Sequence, residues 1–571
     1  MVADSCETTL QWGFAGSYPE VPRKRLIIRK RVRQICFPGS DYDPSARAVR
    51  TGDYLLIPAL LLLLCSCSAR DHATAEREGN RIRAEKVAEV DRFRQEQLIE
   101  PDAPVSHREP TPLEIDVPDT LDLQSALMIA TRHSRSYQSQ RESLFLSALS
   151  LGLTRRDFLR PVFNSTASFT ASDGSDRDYQ DVAALSIGGS MLLFTGGSLG
   201  INANSSLSTS DDPLADLQTA NTSASLSFNQ PLLRGAGHDL AFESLTQAER
   251  SLLYRARNFE LYRQDFVIQI TEKYFGLISQ QKKLTNTREN IEGQRFAWEQ
   301  AKALFRLGRG NSLDVFRAEQ ALLEAQNSGL DAEQAFSLSI DQFKIDLGLP
   351  TTVEFVIQDD FPDVSPFEMD LDGAVEAALN NRLDLRTTRD QLEDAERGLN
   401  IASNSLLPSL SLSLGYSAAA DPEFRFSDLN IDDSDDYSVG LVMEIPLDRK
   451  SQINNFRSAE ISLDQANREL DRQRDEVILE VRDSLRTLKQ RKDQIELGVK
   501  KIQSVTFSVE KAEIDQLRGT GTNRDVVEAT NSLTAAKNDQ LDRIVAHEIQ
   551  LLRLQKQLGL LFVNEDGLVA R

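Results

Sequence analysis

The residues best spaced to do chemistry occur twice in this chain. Gly308-x-Gly310-x-x-x-Asp314-Val315-x-x-Ala318 recurs 211 positions later as Gly519-x-Gly521-x-x-x-Asp525-Val526-x-x-Ala529. Gly308 and Gly519 suit the left-handed cap that ends a helix, with the next helix starting a few residues on. Asp314 and Asp525 then fall in its first turns, where the helix dipole favours a carboxylate. The chemistry on offer is therefore placement of charge. Catalysis is not spelled out: Gly-x-x-x-x-Gly-Lys and His-Glu-x-x-His are both missing from the sequence. His72, His107, His133, His238 and His547 are scattered and make no ligand spacing, and Gly308-x-Gly310 is too short for a nucleotide fingerprint. We expect no enzyme, no metal centre and no cofactor.

A second chemical feature is near the start. The stretch from Leu55 to Leu64 is the strongly apolar one, about ten residues long, too short to span a bilayer and right for a signal-peptide core. It ends in Leu64-Cys65-Ser66-Cys67, which resembles a bacterial lipobox, where the final Cys is lipidated after cleavage. Cys67 fits better than Cys65 because the small Ser66 precedes it; the alternative is an ordinary cleaved signal with incidental cysteines. Ser68 follows, where lipoproteins retained at the inner membrane carry Asp, which points to outer-membrane delivery. Residues 1–48 are basic in the middle and sit upstream of that signal: either the signal has an unusually long n-region or translation starts near Val49, and the second is the expectation.

Composition narrows the partners. The 571-residue chain has a formal charge of −22, which argues against nucleic acid and for solubility. Its four cysteines, Cys6, Cys36, Cys65 and Cys67, all precede residue 68, so the remainder has no disulfide framework and fits an oxidising compartment.

The elements that must position the two Gly-x-Gly turns are long helices. Leu347-Gly348-Leu349 recurs as Leu558-Gly559-Leu560, and Phe266, Tyr274 and Leu277 align with Val477, Leu485 and Leu488, all at the same offset of 211. One extra residue in a helix rotates everything beyond it by about 100°, so a constant offset marks a duplicated unit whose length matters. From about Leu240 to Phe305 there is no proline and there are two glycines, Gly276 and Gly293; some 65 residues of helix reach about 100 Å. In the second copy Val477, Val481, Leu485, Leu488, Ile495, Val499, Ile502 and Val509 form a coiled-coil-like stripe. Upstream, Leu121-Asp122-Leu123-x-x-Ala126 and Met369-Asp370-Leu371-x-x-Ala374 each open a short amphipathic helix, and Pro161 and Pro408 break the helices that follow. Past each proline the period falls to two: Phe163, Ala167, Phe169 and Ala171, with Leu226 and Phe228 returning; then Leu410, Leu412, Leu414 and Tyr416, with Val439, Leu441, Met443 and Ile445 returning. Such alternation suits strands with one apolar and one wet face. Acidic loops such as Asp211-Asp212 and Asp432–Asp436 join them. Leu185, Ile187, Thr195-Gly196-Gly197, Leu199, Ile201 and Ala203 form a further candidate hairpin that the second copy lacks.

Hairpin and helix pair, twice over behind a lipoprotein signal, resembles the TolC-type outer-membrane efflux family across residues 119–565. Its most specific parts are Gln230-Pro231-Leu232-Leu233-Arg234-Gly235 and the paired turns. The resemblance implies a mainly α fold with β: a homotrimer whose protomers each give four strands to one outer-membrane β-barrel, continued into a long α-helical coiled-coil barrel, with two internal repeats per chain. It implies a passive exit duct of a tripartite efflux or type I secretion system, whose partners are a periplasmic adaptor, an inner-membrane RND or ABC pump and outer-membrane lipid. By the same resemblance Asp525 and Glu528 line an acidic ring at the periplasmic aperture, and Gly308, Gly310, Asp314, Gly519 and Gly521 form the hairpin tips that meet the adaptor. Residues three apart share a helix face, which agrees with the ring. For Asp314, followed by Arg317, the helix-capping role is the stronger reading. Where the family places a latching Arg and Tyr, this chain has Gly521 and Gln516, with Arg518, Arg524 and Arg309 nearby.

The expected organisation is an upstream segment 1–48, a signal peptide 49–67, a tether 68–118, repeat one 119–350, a linker 351–368, repeat two 369–565 and a tail 566–571. The competing function is a structural coiled-coil scaffold or adaptor in the periplasm without its own pore. An adaptor carries a lipoyl-like or small β-barrel module between its hairpin helices, and each long helix here runs straight to its Gly-x-Gly turn.

Overall fold

A computed structural model describes residues 77, 79–88, 118–174, 177–210, 218–359, 361, 364, 367, 369–420, 435–564 and 567, all within the unit Ala69–Arg571. Segments 1–48 and 49–67, with Cys65 and Cys67, lie outside the described residues. So do most of the tether, the loops 211–217 and 421–434, and nearly all of the tail.

The two halves follow one order of elements. In the first, α1 (Leu123–His133) and α2 (Arg135–Leu159) precede β2 (Val162–Gly174), β3 (Arg177–Leu192), β4 (Ser198–Ser210) and β5 (Gln218–Pro231). A short α3 (His238–Ala241) leads into α4 (Glu243–Arg306), which turns back as α5 (Ser312–Leu347). In the second, α6 (Leu371–Asn381), α7 (Leu383–Asn404), β7 (Ser409–Ala420) and β8 (Asp435–Glu444) precede α8 (Lys450–Arg518) and α9 (Asn523–Gln557). Two short strands, β1 (Thr120–Leu121) and β6 (Val356–Ile357), pair in parallel, so the expected linker itself carries a strand.

Asp122 caps α1 by accepting from the Ser125 amide at 3.1 Å. Pro161 and Pro408 fall between helix and strand, since α2 ends at Leu159 and β7 starts at Ser409. Helices α4 and α8 run 64 and 69 residues, about 100 Å each, while α5 and α9 run 36 and 35. The two short helices of each half fill out the shorter arm: α2 packs beside the start of α4, and α7 beside the start of α8.

The join between arms explains the repeated Leu-Gly-Leu. Gly348 caps α5 at φ +81°, so close to the end of α1 that a Cβ there would lie 2.0 Å from the His133 carbonyl oxygen. Gly559, at φ +70°, meets Asn381 at the end of α6 in the same way, a Cβ falling 2.7 Å from the Asn381 Cβ. Around the first join lies the largest core: Leu121, Leu127, Phe266, Tyr274, Ile278, Phe343 and Leu347 are buried together. The Tyr274 hydroxyl stands between the Leu121 and Gln358 carbonyls, at 3.2 and 3.3 Å, tying α4 to the β1–β6 pair.

Across the helices the order is α5–α4–α9–α8. Val477, Val481, Leu488 and Ile495 are buried as the stripe requires, but Val499 is 45% exposed. The expected stripe is interrupted there, with Ile502 and Val509 half-buried beyond it, and α8 is a flank of this order. Among the described residues no helix is long and apolar enough to cross a membrane.

The strands form one antiparallel meander, β2-β3-β4-β5-β7-β8. This corrects the expectation of four: the hairpin at 185–203 is β3–β4, inserted between β2 and β5, so Phe163 faces Gly189 of β3 and not the returning β5. Directly opposed residues share a face. Phe163, Leu185, Ile201, Leu226, Leu414 and Val439 therefore lie on one side, and Asn164, Ser186, Asn204, Ser223, Ser413 and Gly440 on the other.

Candidate functional site at the hairpin tips

Both long helices end as the Gly-x-Gly spacing requires. At the first tip Gly308 takes φ +71°, its amide bonds the Phe305 carbonyl at 3.0 Å, and the Arg309 amide reaches back to Leu304 at 2.9 Å. Asn311 then starts α5, its side chain accepting from the Leu313 amide at 3.1 Å. Asp314 sits in the first turn of α5, half-buried, in the position the dipole favours. At the second tip Gly519 takes φ +78°, and the Thr520 and Gly521 amides both bond the Asp515 carbonyl at 2.9 Å.

Asp525 has a defined structural duty. Thr522 and Asp525 form a capping box: the Asp525 carboxylate accepts from the Thr522 amide at 2.8 Å and from its hydroxyl at 2.7 Å. These bonds, the hydroxyl's first, hold the Asp525 carboxyl below its ordinary value. Glu528 is exposed one turn on, with the Arg524 guanidinium 3.8 Å away on the same helix. It shares a shallow groove with Arg524, Val527, Asn531, Ser532 and Ala535. The structure thus brings Asp525 and Glu528 to one helix start, one committed to the cap and the other projecting. Gln516, at the latch position, is buried and donates to Asn523 at 3.0 Å across its own turn. Arg309 and Arg518 are exposed beside their turns.

Sequence reasoning passed over a polar seam between α4 and α9. Asp265, Glu272, Ser279 and Asn286, seven apart, meet Lys556, Arg553, Asp542 and Asn538 at 2.5, 2.8, 3.3 and 2.8 Å. Further toward the tip the Gln294 amide donates to Asn531 at 3.2 Å, and Asn290 to the same residue at 3.3 Å. The seven-residue spacing on α4 is the signal that was available. Alongside it, the buried side chains of α4 change from Phe266, Ile270 and Ile278 to Gln294, Ala297 and Ala301.

A sheet with one apolar and one polar face, continued by paired long helices with capped acidic tips, is the build expected of a membrane duct. The family described as Outer membrane efflux protein matches residues 159–339 and 374–560, more than half of the chain, and the chain belongs to that family of efflux channels. It is 21% identical over 340 residues to outer membrane protein TolC of Vibrio cholerae serotype O1, covering 59% of this chain and 77% of that protein. Among solved structures, CusC aligns at TM-score 0.58 and 17% identity, over 76% of this chain and 92% of its own. VceC of Vibrio cholerae aligns at 0.58 and 16%, over 76% and 96%. At such identities these structures speak for the fold.

Proposed function

We propose that three copies of this chain form the passive outer-membrane exit duct of a tripartite efflux or type I secretion system. A periplasmic adaptor docks at the hairpin tips, and an inner-membrane RND or ABC pump supplies the substrate. The observation that carries this reading is the set of open edges on one protomer. Strands β2 and β8 end the sheet, and helices α5 and α8 flank the helix order. Open strand edges cannot remain unsatisfied in a membrane, and a closed barrel is the remedy. On α5, Phe316, Leu323, Leu330, Leu338 and Ile345 are all exposed at spacings of seven, seven, eight and seven. A seam of that period seeks a helix, and α8 of the next copy is the flank facing it. A pore-free scaffold accounts for the helix seam and leaves the apolar face of six strands without a purpose.

The helices open and close an aperture at their tips, where Glu528 and the capped Asp525 of three copies form an acidic ring that favours cations. The seam supports opening at this end: apolar contacts root α4 and α9 near the β1–β6 pair, and exchangeable amide pairs, with the Lys537–Glu289 ion pair, join them toward the tips. Cys67 carries the lipid. The helical stretch 79–88 docks on α2 and α4, burying Ile82 against Leu144, Leu151 and Leu252. Twelve residues from Cys67 to Gly79 extend to about 40 Å at most, while Leu151 lies about 16 Å of helix before the first strand, so the anchor reaches the bilayer.

Native mass spectrometry of detergent-extracted outer membranes tests the assembly. A heat-labile trimer is expected; a soluble periplasmic monomer sinks the proposal.

A further inference from the structure

We infer that the barrel of this duct is built from six strands per copy and is wide and uncharged along its middle, so that it admits bulky hydrophilic solutes by size and not by charge. The inference rests on the trimeric-duct reading above. Its carrier is the hairpin β3–β4, which is part of the wall. It lies between β2 and β5, paired to β2 from Val162↔Ser190 with one irregularity between Ser172 and Gly174 and to β5 from Ser198↔Asn229 without a break, and β2 makes no pairing with β5. The hairpin keeps the two faces of its neighbours: Leu185 and Ile201 continue the apolar side, Ser186 and Asn204 the polar side, with the Ser186 hydroxyl donating to Asn204 at 2.6 Å.

Its turn is fitted to the base of the sheet. The Thr195 hydroxyl donates to the Gln230 side chain at 2.5 Å, and the Gln230 amide returns a bond to the Thr195 carbonyl at 3.0 Å. The Gly237 amide bonds the same carbonyl at 3.2 Å, and Phe194 stacks on Phe242 at 5.6 Å. Gln230 opens the Gln-Pro-Leu-Leu-Arg-Gly stretch, so the segment that turns sheet into helix also holds the extra hairpin in place.

Three sheets of six strands close a barrel of roughly eighteen. With strands about 4.8 Å apart and tilted about 40°, the wall is about 36 Å across between backbones, against about 24 Å for twelve strands. Taking off about 10 Å for side chains leaves a passage of roughly 26 Å against 14 Å. Barrels of sixteen to eighteen strands hold an aqueous channel without needing long side chains to fill them. The lining here is Ser, Asn, Thr and Gly in its middle, with Asp436 and Glu444 at the two ends of β8.

The test places one cysteine on the polar face, Ser225→Cys, in the full chain and in a version deleted for residues 175–217. The deletion joins β2 to β5 and leaves four strands. Intact cells are treated with maleimide-polyethylene glycols of graded size. The largest reagent that labels the full chain is expected to have close to twice the hydrodynamic radius of the largest that labels the deletion. One shared cut-off overturns the inference. If the deletion does not assemble, electron cryo-microscopy of the full-length oligomer decides: a threefold wall about 36 Å across supports it, and a wall near 24 Å or a twofold assembly overturns it. A chain that forms no membrane oligomer overturns the duct reading itself, whereas a trimer with a narrow barrel overturns only the width.

Discussion

Replacing Gly348 with alanine should be among the most damaging single-methyl changes in this protein. Two costs add. The backbone at Gly348 holds φ +81°, a left-handed conformation that costs a non-glycine residue roughly 1–2 kcal/mol. The new Cβ would also lie 2.0 Å from the His133 oxygen, 2.4 Å from its carbon and 2.9 Å from the Ser134 nitrogen. All three are backbone atoms, so no side chain can swing aside, and helix ends must separate at an overpacking cost of about 1–3 kcal/mol. The expected total is about 2–5 kcal/mol. Three other glycines calibrate the scale. Gly559→Ala, at φ +70° with a Cβ 2.7 Å from the Asn381 Cβ, should lose somewhat less. Gly308→Ala, at φ +71° with nothing within 4 Å, should lose only the conformational part, about 1–2 kcal/mol. Gly276→Ala, inside α4 and also in open space, should gain about 0.5–1 kcal/mol. Thermal unfolding of the four detergent-purified variants, followed by circular dichroism at one scan rate, reads the order. If Gly348→Ala is no worse than Gly308→Ala, the close approach of α5 to α1 is not real, and the account of the Leu-Gly-Leu repeat fails with it.

At the tips, the pair Asp525→Ala and Glu528→Ala should raise the concentration of trivalent cation needed to block the reconstituted pore about tenfold, near 1.4 kcal/mol of binding; unchanged block removes the acidic ring. Taken singly, Asp525→Ala should also cost about 0.5–2 kcal/mol of tip stability through the lost cap, and Glu528→Gln should cost none, which protease sensitivity of the turn will separate. Cys67→Ser should abolish labelling by a clickable fatty acid, and persistent labelling moves the anchor to Cys65. Burial pulls the Asp384 carboxyl upward, but the hydrogen bonds and charge of Arg382 outweigh it and hold it below its usual 3.8. Its contribution to stability is therefore full above pH 3.8 and lost as pH falls through the lowered value. Asp384→Asn should flatten the unfolding profile in that acid window, and an unaltered profile refutes the assignment.

Much of the helical part was legible because long helices repeat their constraints. Gly308 and Gly519 announce caps, Pro161 and Pro408 announce the change of period, and the buried positions Val477, Val481, Leu488 and Ile495 follow the expected stripe. Strand neighbours were not legible. Alternation tells which face a residue takes but not which strand lies beside it, so Phe163 and Leu226 read as one hairpin although β3 and β4 separate them. The role of Asp525 was open for a similar reason: a carboxylate in the first turn suits a cap and a ring equally. Thr522, three residues earlier, makes the cap, and that Thr-x-x-Asp spacing was there to be read. The exposure of Val499 depended on which helix lies at a flank, which no local pattern records.

The α4–α9 seam makes the protein a ruler with coarse divisions. Asp265, Glu272, Ser279 and Asn286 meet α9 once every seven residues, so a helix lengthened by one or two residues turns every later partner away from its mate. Seven residues, matched in α4, α5, α8 and α9 together, restore nearly the same faces and advance the tips by about 10 Å. The distance such a chain spans can therefore change only in steps of that size. Relatives suited to a deeper or shallower periplasm should differ from it by whole heptads in all four helices.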